Sequence, residues 1–495
     1  MENAPSTIKN ADILLVVAPP FFVKMPHIGV GYLESFLAAK GFKAQVYDLS
    51  LKLHNNAKED LKRFWRVDCV NSYFQSEIAE IIFKSFKKEI ERFVDDVLAV
   101  PTGVIGFSVN MISIYLANRI AKMIKLEDPY RLIVFGGPGA FYSHPRDQIK
   151  PSFADVYVVG EGEVTLVEIL TAHKNNQDIP DIPGVLLAED LGKRQPLLPP
   201  NIQDLDDIPF PTFTGFDLKE YNQGEEYKPL PILLSRGCIR RCAYCIDYMM
   251  WPKFRARSAR HVMDEIRYQA EHNGARAFEV IDLTCNGNLK QLSQLCDLII
   301  DSGLDFTWVS YAIIRKDMSF ELLQKMKKAR CDTLIYGVEN GSDRVLKLMN
   351  KGYTANDASE VIRNTHKAGI RTNINIIVGF PGETEEDFQQ TIKFIQDNKD
   401  YINEVTNISG CTLFPTADIG RNRGKYGVFW DEDSDPMLFY DANGLDREER
   451  NKRVARLVEI VNNLKLTKSI VNKPSLNPEV EQLMDLLEGE DEKPK

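Results

Sequence analysis

Three cysteines stand close together in the stretch Ser235-Arg-Gly-Cys238-Ile-Arg-Arg-Cys242-Ala-Tyr-Cys245. Their spacing, C-x-x-x-C-x-x-C, lets one short loop wrap a cuboidal iron–sulfur cluster through three thiolates. Three protein ligands on four irons leave one iron open to a small molecule, so such a cluster is a catalyst as well as an electron carrier. Two plainer explanations compete. Structural zinc takes four ligands, usually as two separated pairs, but Cys69, Cys285, Cys296, Cys331 and Cys411 are scattered singly. A loop of buried free thiols is the other.

The elements around the loop must hold it. From about residue 229 to 425 the sequence repeats a strand–helix rhythm. Strands are expected at Pro231–Ser235, Phe278–Leu283, Phe306–Tyr311, Thr333–Val338, Ile374–Gly379 and Val405–Leu413, with helices between them. Six such units predict a partial (β/α) barrel, open on one side. Sites in such barrels lie at the C-terminal strand ends, and the cysteine loop follows the first strand. Residues 1–190 alternate brief apolar runs with amphipathic segments, which predicts a doubly wound α/β domain. A charged helical insertion is expected at about Asn55–Leu98. Residues 191–228, rich in Pro and Asp, read as a linker. Residues 426–485 read as a helical extension, placing a packing helix or a lid near Glu448–Ser469, and 486–495 as a disordered tail.

With Tyr244 before the third cysteine, the loop resembles the signature of the radical S-adenosylmethionine (SAM) enzymes. The resemblance implies a 4Fe-4S cluster on Cys238, Cys242 and Cys245 whose open iron chelates SAM. It also implies reductive cleavage of SAM to a 5′-deoxyadenosyl radical. Gly337-Val338-Glu339-Asn340-Gly341-Ser342 and Ile376-Ile-Val-Gly379-Phe-Pro-Gly382 follow the family closely. They imply SAM contacts from Glu339 to the ribose, from Ser342, and from Gly379 beside adenine, with Tyr244 packed nearby. Asp282 falls where the family binds the methionine ammonium, although Ile281 and Thr284 depart from its pattern. A turn-capping Asp, and an N-cap for Ser342, explain these two residues equally well. Cys411 reads as a buried thiol.

In the first domain, PHIGVGYLESFLAAKGF, IGFSV, VFGGPGA and DVYVVGEGE resemble the cobalamin-binding domain that precedes many radical SAM barrels. Ser108, Gly136, Gly137, Gly160 and Glu161 are then expected at the cofactor. The D-x-H-x-x-G loop of other cobalamin proteins is missing, and His27 reads as a loop residue and not a cobalt ligand.

The chain has 495 residues, 44% hydrophobic and 27% charged, with net charge -10. No global charge favours nucleic acid or an anionic membrane. Eight cysteines in this length are no disulfide framework and suit a reducing compartment, expected to be the cytoplasm of an anaerobic or low-oxygen cell. The basic residues Arg236, Arg240, Arg241, Lys253, Arg255, Arg257 and Arg260 are a solvated face or serve an anionic cofactor or electron donor such as flavodoxin or ferredoxin. The expected reaction is methyl transfer to an unactivated carbon of a small-molecule or natural-product substrate. The alternatives are a radical cyclase, oxidase or ring-rearranging enzyme, or a non-catalytic redox sensor. No residue is singled out as catalytic.

Overall fold

A computed structural model describes residues 8–65, 75–142, 149–223, 226–430 and 438–467. Cys69 and the expected tail lie outside them. The described chain divides into two compact units, the first reaching residue 228 and the second beginning at 229.

The first unit is built on six strands: β1 (Ile13–Val17), β2 (Ala44–Asp48), β3 (Val104–Ser108), β4 (Leu132–Gly136), β5 (Val156–Val158) and β6 (Val185–Leu187). Their order is β2-β1-β3-β4-β5-β6, parallel except for the last pair. β1 is buried along its whole length, as an apolar run covered on both faces must be. Phe107, Phe135 and Tyr157 continue the core across three strands, edge to face at 5.6 and 5.7 Å. The expected insertion contains the helices Gln75–Ser85 and Lys87–Leu98. Ile78, Ile82, Phe86, Ile90 and Phe93 on their apolar sides join the core of the sheet. The strand order reverses direction between β1 and β3, the place where such sheets bind ligands.

Residues 191–223 belong to this unit and lie along it. Ile202 N–H donates to Glu161 (2.8 Å), Thr214 to Glu34 (3.3 Å) and Tyr221 to Asp48 (2.5 Å), with Phe213 and Tyr221 buried. The short β6 was not expected; three residues pairing antiparallel at an edge carry little periodic signal.

The second unit carries six parallel strands in chain order: β7 (Leu230–Ile232), β8 (Ala277–Val280), β9 (Thr307–Ala312), β10 (Cys331–Glu339), β11 (Arg371–Val378) and β12 (Glu404–Gly410). Helices Ala259–His272, Leu289–Ser302, Phe320–Lys328, Ala355–Lys367 and Glu385–Asn398 alternate with them. Their starts follow from side-chain caps at Ser258, Asn288 and Ser319, and from full capping boxes at Thr354 and Thr384. The helix Arg447–Asn463 packs against β12, and Val405 N–H donates to Leu466 O just beyond it (2.8 Å). It is a packing helix on the edge strand.

Candidate active site

The cysteine loop hangs between two later parts of the barrel. Ala243 N–H donates to Met349 O and Ile419 N–H to Ala243 O, both at 2.9 Å. Asn350 Nδ2 donates to Arg241 O (2.7 Å), and the Arg241 guanidinium to Cys238 O and Arg240 O (3.0 Å each). Gly237 enters the loop at φ +88°, where a Cβ would sit 2.8 Å from Lys253 O, so a side chain is excluded there.

Cys242 is buried and its two companions half-buried. Burial pushes the Cys238 thiol up, opposed in part by Arg240 N–H, and the nearby Cys242 adds to it. Burial first, then the charges of Asp247 and Cys242, push Cys245 up. Thiolates in this setting need a bound cation to offset those costs. Among the described residues no three Cys, His, Asp or Glu side chains converge as a single-ion site requires. In a cuboidal cluster each thiolate takes a separate corner, which a tri-cysteine loop fits.

Beside the loop, Glu339 ends β10. The pairing with β11 shifts between Gly337 and Glu339, and Glu339 itself sits at φ +65°. A non-glycine residue there costs on the order of 1–3 kcal/mol, so the surroundings must impose it. Tyr353 OH holds the bulge by donating to Gly337 O and Val338 O (2.9 Å each). Gly337 leaves room for the acid, since a Cβ there would collide with Glu339 Oε1. That oxygen accepts from Tyr244 OH (3.0 Å) and Lys351 Nζ (3.2 Å), and Lys351 reaches Tyr244 OH at 3.3 Å. Burial pulls the Lys351 ammonium down, but electrostatic interaction with Tyr353, Tyr244, Glu339 and Cys242 together holds it above its ordinary value. The result is a buried carboxylate, phenol and ammonium against the cysteine loop. A carboxylate accepts several hydrogen bonds, so Glu339 retains capacity for a ligand diol. Lys351 is absent from the sequence expectations, because KLMNKGY reads as an ordinary helix end and burial of one lysine leaves no periodic trace.

The other expected residues are placed as follows. Asp282 is buried, accepting from Leu234 N–H (2.8 Å) and the Ser235 hydroxyl, and burial pushes its carboxyl up to about 7. It ties the end of β8 to the start of the cysteine loop. Ser342 caps the helix Asp343–Leu348 and donates to Asp387 (2.6 Å). Gly379 turns at φ +71° against Arg450, and its N–H donates to Glu383 (2.7 Å). Arg453 closes on the same carboxylate at 3.2 Å. Cys411 is buried, its thiol pushed up to about 12 by burial. Of the basic cluster, Arg257 pairs with buried Glu265, and Arg240 donates to Ile314 O (3.2 Å).

In the first unit Ser108 bonds His27 Nε2 (3.0 Å). His27 Nδ1 accepts from Val30 N–H (3.2 Å) and caps the helix Ile28–Ala39. Gly137 (φ +95°) packs 2.9 Å from Val109 O, measured from an added Cβ, while at Gly136 the nearest atom is Val158 Cβ at 3.9 Å. Gly160 (φ +96°) lies under Pro199 and Glu161 under Ile202, both of the same unit.

Residues 232–395 match the family model described as the radical SAM superfamily. The match takes in the cysteine loop, Glu339 and Gly379. The chain is 26% identical over 317 residues to an uncharacterized methyltransferase of Pyrococcus horikoshii, covering 64% of this chain and 67% of that one. It is 26% identical to an anaerobic magnesium-protoporphyrin IX monomethyl ester cyclase of Rubrivivax gelatinosus, covering 71% of this chain but 64% of the cyclase. Among solved structures it shares the fold of the cobalamin-dependent radical SAM enzyme OxsB (TM-score 0.68, 16% identity, 97% of this chain and 71% of that chain). It also shares the fold of the radical SAM methyltransferase TsrM from Kitasatospora setae (TM-score 0.64, 18% identity, 97% and 99%). An α/β first unit followed by a radical SAM barrel is therefore the architecture of the chain. Among the described residues no helix is long and apolar enough to cross a membrane.

Proposed function

We propose that this protein is a cobalamin-dependent radical SAM enzyme that transfers a methyl group to an unactivated carbon of a small molecule. The observation that carries this reading is the pinned cysteine loop with Tyr244, Glu339 and Lys351 gathered against it at the barrel strand ends. When bound, the cluster with SAM supplies a hydrogen-abstracting radical, and cobalamin supplies a transferable methyl group.

The residues divide the work. Cys238, Cys242 and Cys245 would hold three irons of the cluster. Glu339 would accept from the ribose hydroxyls of SAM, its bulged backbone aiming it at the loop. Tyr244 and Lys351 fix the acid before SAM arrives, and Lys351 supplies a positive charge for an anionic group. The Gly379 turn, braced by Glu383 and Arg453, would border adenine. For cobalamin, the β1/β3 reversal offers the usual crevice. His27 is not a cobalt ligand in this reading, since both its ring nitrogens are engaged within the unit. A reduced flavodoxin or ferredoxin would provide the electron, and the free thiols fit a reducing cytoplasm.

The relationship to the Rubrivivax cyclase favours a second reading, radical chemistry without methyl transfer. Methyl-labelled SAM separates the two. With the anaerobically reconstituted full chain, a labelled product supports methyl transfer; an unlabelled product alongside 5′-deoxyadenosine supports the cyclase type. Failure to form 5′-deoxyadenosine under reductant would leave only a sensor.

A further inference from the structure

The inward face of β11 and β12 carries polar atoms with nothing to bond. Ile374, Ile376 and Val378 are each 0% exposed. Ile374 pairs with Tyr336, whose hydroxyl meets Thr365 on the helix Ala355–Lys367 at 2.9 Å. That side of the sheet therefore faces the helices, and Asn373 and Asn375, one pleat over, face the barrel interior. β12 adds a register shift beside Asn375, opposing it with Thr406 and Asn407 where one residue would be expected. A bulge of this kind turns both side chains to the same face.

Asn373 is 7% exposed. Its Nδ2 donates to Glu404 (3.4 Å), which fixes the amide orientation and sends Oδ1 elsewhere. Asn373 Oδ1, Asn375 Oδ1 and Thr406 Oγ1 are buried and have no hydrogen-bond partner among the described residues. Buried polar atoms in folded proteins are nearly always bonded, and each one left open costs about 1–3 kcal/mol. Three on one patch, beside the Glu404 carboxylate and level with the side-chain-free Gly337, form a surface whose two amide oxygens call for donors and whose hydroxyl can donate or accept. Apolar residues would fill a purely structural barrel wall.

We propose that Asn373, Asn375 and Thr406, with Glu404, form the polar wall of the substrate site, and that the substrate is a small molecule presenting N–H or O–H groups to it. Amino- or hydroxyl-bearing compounds fit; a macrocycle whose polar groups are carboxylates does not, since it sets acceptors against the two amide oxygens, leaving the Thr406 hydroxyl as donor, and brings a negative charge to Glu404. The proposal rests on the radical SAM reading above and deepens it.

The test uses the full chain. A wall kept open for a ligand is maintained at the expense of stability, so Asn373→Leu, Asn375→Leu and Thr406→Val should leave the melting temperature of the substrate-free protein unchanged or raise it, by about 2 °C or more. Lower melting temperatures in all three variants would mean that these side chains hold the barrel together, and would overturn the proposal. The second measurement supplies methyl-labelled SAM, reductant and a small-molecule extract of the source cells to the reconstituted protein. The expected labelled product reacts with amine- or hydroxyl-directed reagents and forms at least about tenfold more slowly with Asn373→Leu, the loss set by one unmet hydrogen bond. A labelled product without such groups, or undiminished formation by all three variants, overturns it. If the wild-type protein forms no 5′-deoxyadenosine, the parent reading fails instead, and the melting comparison still judges the wall by itself.

Discussion

His27 is held inside the first unit by both ring nitrogens. Because Nδ1 accepts from Val30 N–H, the neutral ring carries its proton on Nε2 and donates it to Ser108. Burial lowers its pKa to about 4, which keeps the ring neutral. We expect His27→Ala to lose about 0.5–2 kcal/mol of stability through the missing cap while the optical spectrum of bound corrin stays unchanged. A changed spectrum would reinstate the histidine as a cobalt ligand. Lys351 gives a sharper prediction: Lys351→Met leaves Glu339 as an unpaired buried carboxylate, a loss of about 3–5 kcal/mol in denaturant unfolding. Adding Glu339→Gln should recover part of that loss. Asp282 sets a pH dependence. Its folded pKa, raised to about 7 by burial, lies above the unfolded value, so its contribution is full below about pH 4 and is lost as pH rises through about 7. Asp282→Asn should flatten the melting temperature between those limits.

At the scale of elements, much was legible. The six barrel strands fall within a few residues of their expected places, because each stands between amphipathic helical segments in a repeating strand–helix rhythm. The helix Glu385–Asn398 opens on a full capping box formed by Thr384 and Asp387. What stayed hidden is conformational. The shift at Gly337 and the left-handed Glu339 depend on pairing between strands distant in sequence, and no local pattern encodes them. The unmet atoms on Asn373 and Asn375 likewise depend on the neighbouring strand. The Gly379 turn also depends on a remote partner, Arg450, whose side chain is fully buried and donates to Leu445 O and Phe439 O. Gly379→Ala forces a Cβ into that arginine at a left-handed backbone position. A destabilisation of more than about 1 kcal/mol is expected in thermal or denaturant unfolding.

For the whole molecule, the composition of residues 191–223 suggested a free crossing, whereas their bonds to Glu34, Asp48 and Glu161 lay them along the first unit. Proline and aspartate content reports the lack of regular structure, not the lack of contacts. Amide hydrogen exchange should therefore find Phe213–Tyr221 protected; exchange as fast as in an open peptide would contradict the packing. The helix Arg447–Asn463 has a practical bearing on how the protein is handled. It shields the outermost strand of the barrel, which otherwise ends in a row of bare amides ready to join a second molecule. A recombinant chain stopped at residue 425, the apparent limit of the barrel repeats, should accordingly precipitate on expression, while one that keeps this shield stays in solution.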